Sequence, residues 1–198
     1  MTMPSERFID LATRHGRDLD AVFESGTLPD VAALTGYEFR GYNQPRALAM
    51  LGIRKFIKAF FRAGDGRVLG CNTPVAQNGL QGEWLAKPSD DQPKRYAFFL
   101  VEPGDPAAGG ERGRATLLDY GRGDNRAYDP SRLLRDYLVR IEPGSDDLLL
   151  GKAQMVVAGR RPWHSYFVIE RLRPLRDSEA LAARADPKPR RRQKETTL

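Results

Sequence analysis

The sequence has one cysteine, Cys71, and two histidines, His15 and His164. A single cysteine excludes an internal disulfide framework. A zinc site needs about four nitrogen, sulfur or oxygen ligands at suitable spacing, and these three distant residues provide no such motif. The sequence therefore predicts no metal site and leaves any cofactor unknown.

Long apolar segments are also lacking. The longest apolar runs, near Leu148–Leu150 and Phe98–Val101, are too short to cross a bilayer. The first residues, Met1–Phe8, include Glu6 and Arg7 and have no apolar centre, so they do not resemble a secretory signal. Together with the single cysteine, these features favour a cytoplasmic protein without a membrane span.

No motif names a reaction. The nucleophile motif Gly-x-Ser-x-Gly does not occur, and the glycine-rich stretches 64–66 and 121–124 lack the lysine of a phosphate-binding loop. The sequence leaves open whether the protein is an enzyme.

The formal net charge is +6, and half of it lies at the carboxyl end. The segment Asp186–Leu198 has five basic residues against two acidic ones, which predicts a solvated, disordered basic tail. Such a tail attracts phosphates nonspecifically. No aromatic residue interrupts it to stack on a base, so we expect no specific nucleic-acid site.

Alternating apolar and polar residues are the main positive feature. Between Asp136 and Leu172 the chain alternates with a period of two over three segments separated by two turns, 143–146 and 158–162. This period is typical of β-strands. Three consecutive strands with tight turns predict an antiparallel meander, and such meanders commonly close into barrels.

The rest of the chain extends this pattern. We count about eight strand candidates, which predicts a mainly β protein with an antiparallel barrel. Ser5–Glu24 has helical spacing, and a short helix is expected from Pro45 to Leu51. Arg54–Arg62 is interpreted as a strand because the turn 63–66 follows it, although a helix stays open. Gly82–Ala86 is a further strand candidate. The predicted units are a helical segment 1–33, a barrel 34–172, and a short helix with the basic tail 173–198.

The first predicted strand, Leu34–Gly41, places an aromatic residue, Phe39, between Gly36 and Gly41. This arrangement resembles the opening of lipocalin-like barrel families, nearest the family of uncharacterised bacterial proteins named for a Gly-x-Trp-x-Gly motif. Leu134–Ile141 and Asp147–Gly151 are similar to that family's closing strands. The resemblance implies a barrel with an internal cavity for a small, mostly apolar molecule.

Small and adaptable side chains on one predicted strand face are consistent with such a cavity. An alternative stays open: the small residues could instead accommodate the ring of Trp163 or Phe167. Asp119 is either a polar group inside the cavity or the partner of an arginine such as Arg95, Arg135 or Arg140. The candidate ligand-binding residues are Asp119, Tyr120, Tyr137, Gly151, Ala153, Met155, Trp163 and Phe167.

Three functions follow as hypotheses. The first is binding of a small hydrophobic molecule inside the barrel. The second is a small-molecule enzyme that uses an acid/base residue in the cavity, with Asp119, a tyrosine or His164 as candidates. The third is an interaction with nucleic acid or protein through the basic tail. A homodimer is possible under each.

Overall fold

A computed structural model describes residues 3–44, 53–108, 110–157, 159 and 164–185. Its centre is an eight-stranded antiparallel barrel in which each strand pairs with the next and the last pairs with the first. This confirms the predicted mainly β fold. The strands are β1 Tyr37–Asn43, β2 Lys55–Arg62, β3 Val68–Pro74, β4 Tyr96–Glu102, β5 Thr116–Asp119, β6 Leu134–Glu142, β7 Ser145–Met155 and β8 His164–Pro174.

Short helices precede the barrel, interrupt it once and follow it. They are α1 Glu6–Thr13, α2 Gly16–Ser25, α3 Val31–Leu34, α4 Gly110–Arg114 and α5 Ser178–Ala185. Ser5 caps α1 by accepting a hydrogen bond from the backbone N–H of Phe8, as the sequence indicates. None of the helices in the described ranges is long and apolar enough to span a membrane.

The structure tests two predictions about local secondary structure. The segment Arg54–Arg62 is a strand, β2, and it turns into β3 through residues 63–67. The predicted strand Gly82–Ala86 is wrong, since only Ala86 forms a bridge, to Val75. The chain curls there because the Lys55 ammonium donates hydrogen bonds to the carbonyl oxygens of Gly82 and Glu83, at 2.7 and 3.0 Å. The predicted helix at Pro45–Leu51 and the tail from Asp186 lie outside the described residues.

Both faces of the barrel wall are apolar over much of its surface. Helices α1 and α2 cover one side, where Phe8, Leu11, Leu19 and Phe23 pack on outward side chains of β6, β7 and β8. Helix α5 covers another outer region through Leu181. Strands covered on both faces need apolar residues at nearly every position.

The helices on the outside of the barrel explain why one interpretation of the sequence, the direction in which the side chains of β6 point, is wrong. On β6 the apolar residues Tyr137 and Val139 belong to the outer cluster beneath α2, whereas Leu138 belongs to the inner one. Because neighbours on a strand point to opposite faces, Asp136 lies on the inner face with Leu138. A charged residue therefore faces the lumen, and an aromatic residue that we expected there faces outward.

The connections differ between the two ends of the barrel. Residues 44–54, 75–95, 120–133 and 156–163 join strands at one end, which we call the loop end. The opposite end has the shorter connections 63–67 and 143–144, together with 103–115. Long loops carry binding residues more often than short turns do.

Candidate functional site

The lumen contains a fully buried lysine. Lys58 lies in the middle of β2, between Phe56 and Phe60 on the inner face, and its side chain is 3% exposed. A lysine is almost never fully buried unless it is paired. Its partners therefore decide what this part of the lumen can do.

The Lys58 ammonium donates to three acceptors. They are a carboxylate oxygen of Asp136 at 3.0 Å, the hydroxyl of Tyr120 at 2.5 Å and the amide oxygen of Asn72 at 3.1 Å. Tyr120 in turn donates its proton to the same Asp136 oxygen at 2.8 Å, and the Asn72 amide donates to Tyr120 at 3.3 Å. We call these four residues the lumen cluster: Lys58, Asn72, Tyr120 and Asp136.

The ion pair spans the barrel. Lys58 is on β2 and Asp136 is on β6, and these strands are diametrically opposite in a closed sheet of eight. The lysine side chain must therefore cross the lumen to reach the carboxylate. The lumen cluster divides the interior into a loop-end half and a closed half.

Aromatic rings surround the ammonium. The Lys58 nitrogen lies 5.0–5.3 Å from the ring centres of Phe56, Phe99, Tyr120 and Phe167. These distances suit cation–π attraction, which partly offsets the loss of hydration. Both members of the ion pair are buried, with 3% and 5% of their side chains exposed.

Burial controls the protonation of the cluster. It lowers the pKa of Lys58, because desolvation disfavours the ammonium, while the Asp136 charge opposes that shift. Burial raises the pKa of Tyr120 well above its ordinary value, and the neighbouring Asp136 carboxylate adds to this. Tyr120 is therefore a neutral hydrogen-bond donor at physiological pH.

Several of the predicted site residues lie together in the lumen. Tyr120 belongs to the lumen cluster, and Ala153 and Phe167 belong to the inner apolar cluster. Ala153 pairs directly with Asp136 across the β6–β7 ladder, and Met155 is half-buried at the loop end. Trp163 lies outside the described residues.

Gly151 settles an alternative that the sequence left open. A Cβ at this position would overlap the ring of Phe167, and a Cβ at Gly41 would overlap the ring of Phe56. The space that a side chain would fill at these two glycines is therefore taken by aromatic rings. Gly151 accommodates Phe167 and does not by itself leave free space.

Two predicted site residues do not face the lumen. Tyr137 packs in the outer cluster, as described above. Asp119 ends β5 on the outer side, where its carboxylate accepts from the backbone of Gly121 at 2.8 Å and pairs with Arg135 at 3.1 Å. The arginine interpretation of Asp119 is confirmed, and its placement inside a cavity is wrong.

The histidines and the cysteine lie outside the lumen. His164 is largely exposed at the start of β8, 3.7 Å from Asp20, and His15 precedes α2. Cys71 is buried on the outer face near α5, where desolvation raises the pKa of its thiol to about 12. Within the described part of the chain, no three histidine, cysteine, aspartate or glutamate residues are grouped to hold a metal ion.

Sequence reasoning missed three members of the lumen cluster: Lys58, Asn72 and Asp136. One signal was available, since Lys58 shares a strand face with Phe56 and Phe60 and is the only charged residue of that apolar run. Asp136 had no comparable signal, because the opposite face of β6 is equally apolar.

In the lumen cluster the Lys58 ammonium, the Tyr120 phenol and the Asp136 carboxylate lie within 3.0 Å of one another, and the Asn72 amide lies within 3.3 Å of the first two. Such a group can orient a polar ligand atom or transfer a proton between lysine, tyrosine and aspartate. No known protein family, curated protein or solved structure matches this chain.

Proposed function

We propose that the protein binds a small, mostly apolar molecule in the loop-end half of the barrel, with a polar group of that molecule directed at the lumen cluster. The observation that carries the proposal is the buried Lys58–Asp136 ion pair across the lumen. The lipocalin-like resemblance and the cytoplasmic location stay predictions that accord with it.

The ion pair is costly for a purely structural barrel. Taking two charges out of water costs several kcal/mol for each ion, and well-packed apolar residues of similar volume are often as stabilising. Perturbed titratable groups in enclosed sites are therefore candidates for function. A ligand that uses these hydrogen bonds gives a reason to keep them.

The loop-end half provides an adaptable apolar lining. Met155 and Leu134 pair with each other on this side of the lumen cluster and are half-buried, and Ala153 lies level with the cluster beside Asp136. Methionine adapts its shape to a ligand. The rings of Phe56 and Phe167 fill the space next to the cluster, so we expect binding to require that they rotate aside.

The polar group of the ligand follows from the cluster. Lys58 presents a donor, the Asn72 amide accepts from Lys58 through its oxygen and donates to Tyr120 through its nitrogen, and Asp136 presents an acceptor. A carbonyl or hydroxyl oxygen can accept from the lysine in place of Tyr120 or Asn72. We therefore propose an apolar ligand that has one such oxygen.

Native mass spectrometry of the purified full chain tests the proposal. We expect a compound that remains bound in the wild type and is released on denaturation. The double variant Lys58→Met/Asp136→Leu, which keeps an apolar lumen, should lose it. Asp119→Asn, outside the lumen, is the matched control and should retain it. Retention in the double variant, or absence of any compound from the wild type, contradicts the proposal.

A second candidate function rests on the contacts of Tyr120. Its hydroxyl lies between the Lys58 nitrogen and the Asp136 oxygen, so a proton can pass along the three groups. This favours acid/base chemistry on the bound molecule by Asp136 and Tyr120, not by Asp119. Incubating the released compound in deuterium oxide with wild-type protein and with Tyr120→Phe should then show exchange of a carbon-bound proton for deuterium only with the wild type. An unchanged compound in both contradicts this candidate.

A further inference from the structure

A groove lies outside the lumen, at the loop end. The groove has a volume of about 540 Å³ and lies between residues 94–98, at the start of β4, and the β5–β6 connection at 124–130, with Arg184 of α5 at its edge. Small-molecule sites commonly have volumes of about 300–1,000 Å³. The groove is thus large enough for a compound of mononucleotide size.

Asn125 and Gly123 hold the two walls of the groove together through contacts with the backbone of Phe98. The Asn125 side chain accepts from the Phe98 backbone N–H at 2.8 Å and donates to the Phe98 carbonyl at 2.6 Å, as a strand neighbour would. A Cβ at Gly123 would overlap the Phe98 carbonyl, so only glycine permits this approach. A preformed groove loses less conformational freedom when a ligand binds.

The floor of the groove is strained. Ala97 has a φ of 46°, in the left-handed region that side chains other than glycine rarely adopt. Such strain costs about 1–3 kcal/mol and clusters at functional sites. The preceding residue, Tyr96, is half-buried, lines the groove and packs against the inner apolar cluster.

The side chains around the groove combine rings with cations. Tyr128 is 78% exposed and Tyr96 is half-buried, whereas Phe98 is buried with the Arg184 guanidinium 4.3 Å from its ring centre. Lys94 and Arg126 are exposed and form no ion pair with any residue in the described ranges. Arg126 donates a hydrogen bond to the Tyr128 hydroxyl at 3.2 Å, so a cation and a ring lie side by side.

Charge favours an anion. Four cations line the groove, but Arg184 pairs with Asp124, and Arg95 pairs with Glu38 and Asp177. Within the described ranges, Lys94 and Arg126 therefore stay unpaired against one carboxylate, Asp129, which accepts from the backbone of Ser131. The free cations are therefore available to an incoming group. Aromatic rings stack on flat ligands, and arginine binds phosphate and carboxylate groups.

We propose that this groove binds a small anion that carries a flat aromatic ring, with the ring on Tyr128 and the anionic group between Lys94 and Arg126. The site is separate from the lumen cluster and does not depend on the ligand proposed for it. Its recognition combines stacking with charge, so neither the ring nor the anion alone should bind as tightly.

Isothermal titration of the full chain with adenosine monophosphate, adenosine and inorganic phosphate tests this directly. We expect the Kd for the monophosphate to be at least about tenfold lower than for either part, a difference that both contacts must supply together. Equal affinity for adenosine shows that the cations are not used, and equal affinity for phosphate shows that the rings are not used. Either result, or no saturable binding of the monophosphate, overturns the proposal.

Variants locate the site. Tyr128→Ala and Arg126→Ala should each raise the Kd about fivefold or more, since each removes one exposed contact without affecting the core. Tyr128→Phe keeps the ring and should bind as the wild type does. Arg112→Ala removes the same charge at the opposite end of the barrel and should leave the Kd unchanged. Equal effects of Arg112→Ala and Arg126→Ala would show binding to net charge alone, which overturns the site.

Discussion

At the residue scale, Cys71 shows how burial alone determines chemistry. Its thiol is enclosed beneath α5, and its pKa rises from 9.0 to about 12. In the unfolded chain the thiol loses its proton above pH 9, whereas the folded state retains it. Unfolding then releases a proton, so this group lowers stability as pH rises from 9 toward 12.

The Cys71→Ala variant tests this linkage. Between pH 9 and about pH 11 the wild type should lose about 2 kcal/mol more stability than the variant, because each pKa unit corresponds to about 1.4 kcal/mol. Urea unfolding of both proteins across this range measures the difference. Because the comparison uses the pH dependence, any packing defect from the substitution cancels. Parallel pH profiles would show that the thiol is not enclosed.

Asp119 has a structural role, although the sequence also allowed it as an acid/base residue inside the cavity. It caps a short 3₁₀ turn through Gly121 and Arg122 and pairs with Arg135. We expect Asp119→Ala to cost about 1–2 kcal/mol and Asp119→Asn clearly less, because asparagine can still cap. Urea unfolding gives both values. Equal losses for the two variants would show that the ion pair and not the cap matters.

At the element scale, the packing of β7 on β8 depends on Gly151, because the absence of a side chain there leaves room for the ring of Phe167. Gly151→Ala places a methyl group into the ring of Phe167, and such overpacking should cost about 1–3 kcal/mol. Gly16→Ala is the matched control, since a Cβ there meets nothing within 4 Å at the start of α2. Its stability should change little. Thermal or urea unfolding compares them, and a neutral Gly151→Ala would show that the lumen has spare room beside Phe167.

The elements also show what the sequence could and could not predict. The alternation along β7 and β8 predicted both strands and the inner positions of Gly151, Ala153 and Phe167. The same rule failed on β6, because helices cover the outside of the barrel and make Tyr137 and Val139 as apolar as residues that face inward. A period of two locates a strand, but it cannot tell which face is inside when both faces are buried.

Cross-lumen contacts were beyond prediction for a different reason. Lys58 and Asp136 are 78 residues apart and meet only because eight strands close. Nothing in the sequence around either residue indicates that the other lies next to it in the fold. The number of strands therefore predicted the barrel. The lumen cluster could be predicted only from the order in which the strands pair around the closed barrel.

At the scale of the whole molecule, the barrel is a closed wall whose interior is divided by one ion pair. That division bears on the ligand hypothesis, since a guest that enters at the loop end meets the lumen cluster before it reaches the closed half. The hypotheses that concern the basic tail and a dimer are independent of this geometry and stay predictions. Salt-sensitive binding that disappears on removal of 186–198 would support the first.

A double-mutant cycle measured by urea unfolding tests whether Lys58 and Asp136 form a buried ion pair across the lumen. We expect Lys58→Met or Asp136→Leu alone to cost about 3–5 kcal/mol, because each leaves an uncompensated buried charge. The double variant should recover most of that loss, since an apolar pair fills the same space. Small, additive losses from the single variants would show that the two side chains do not pair, and would contradict the account.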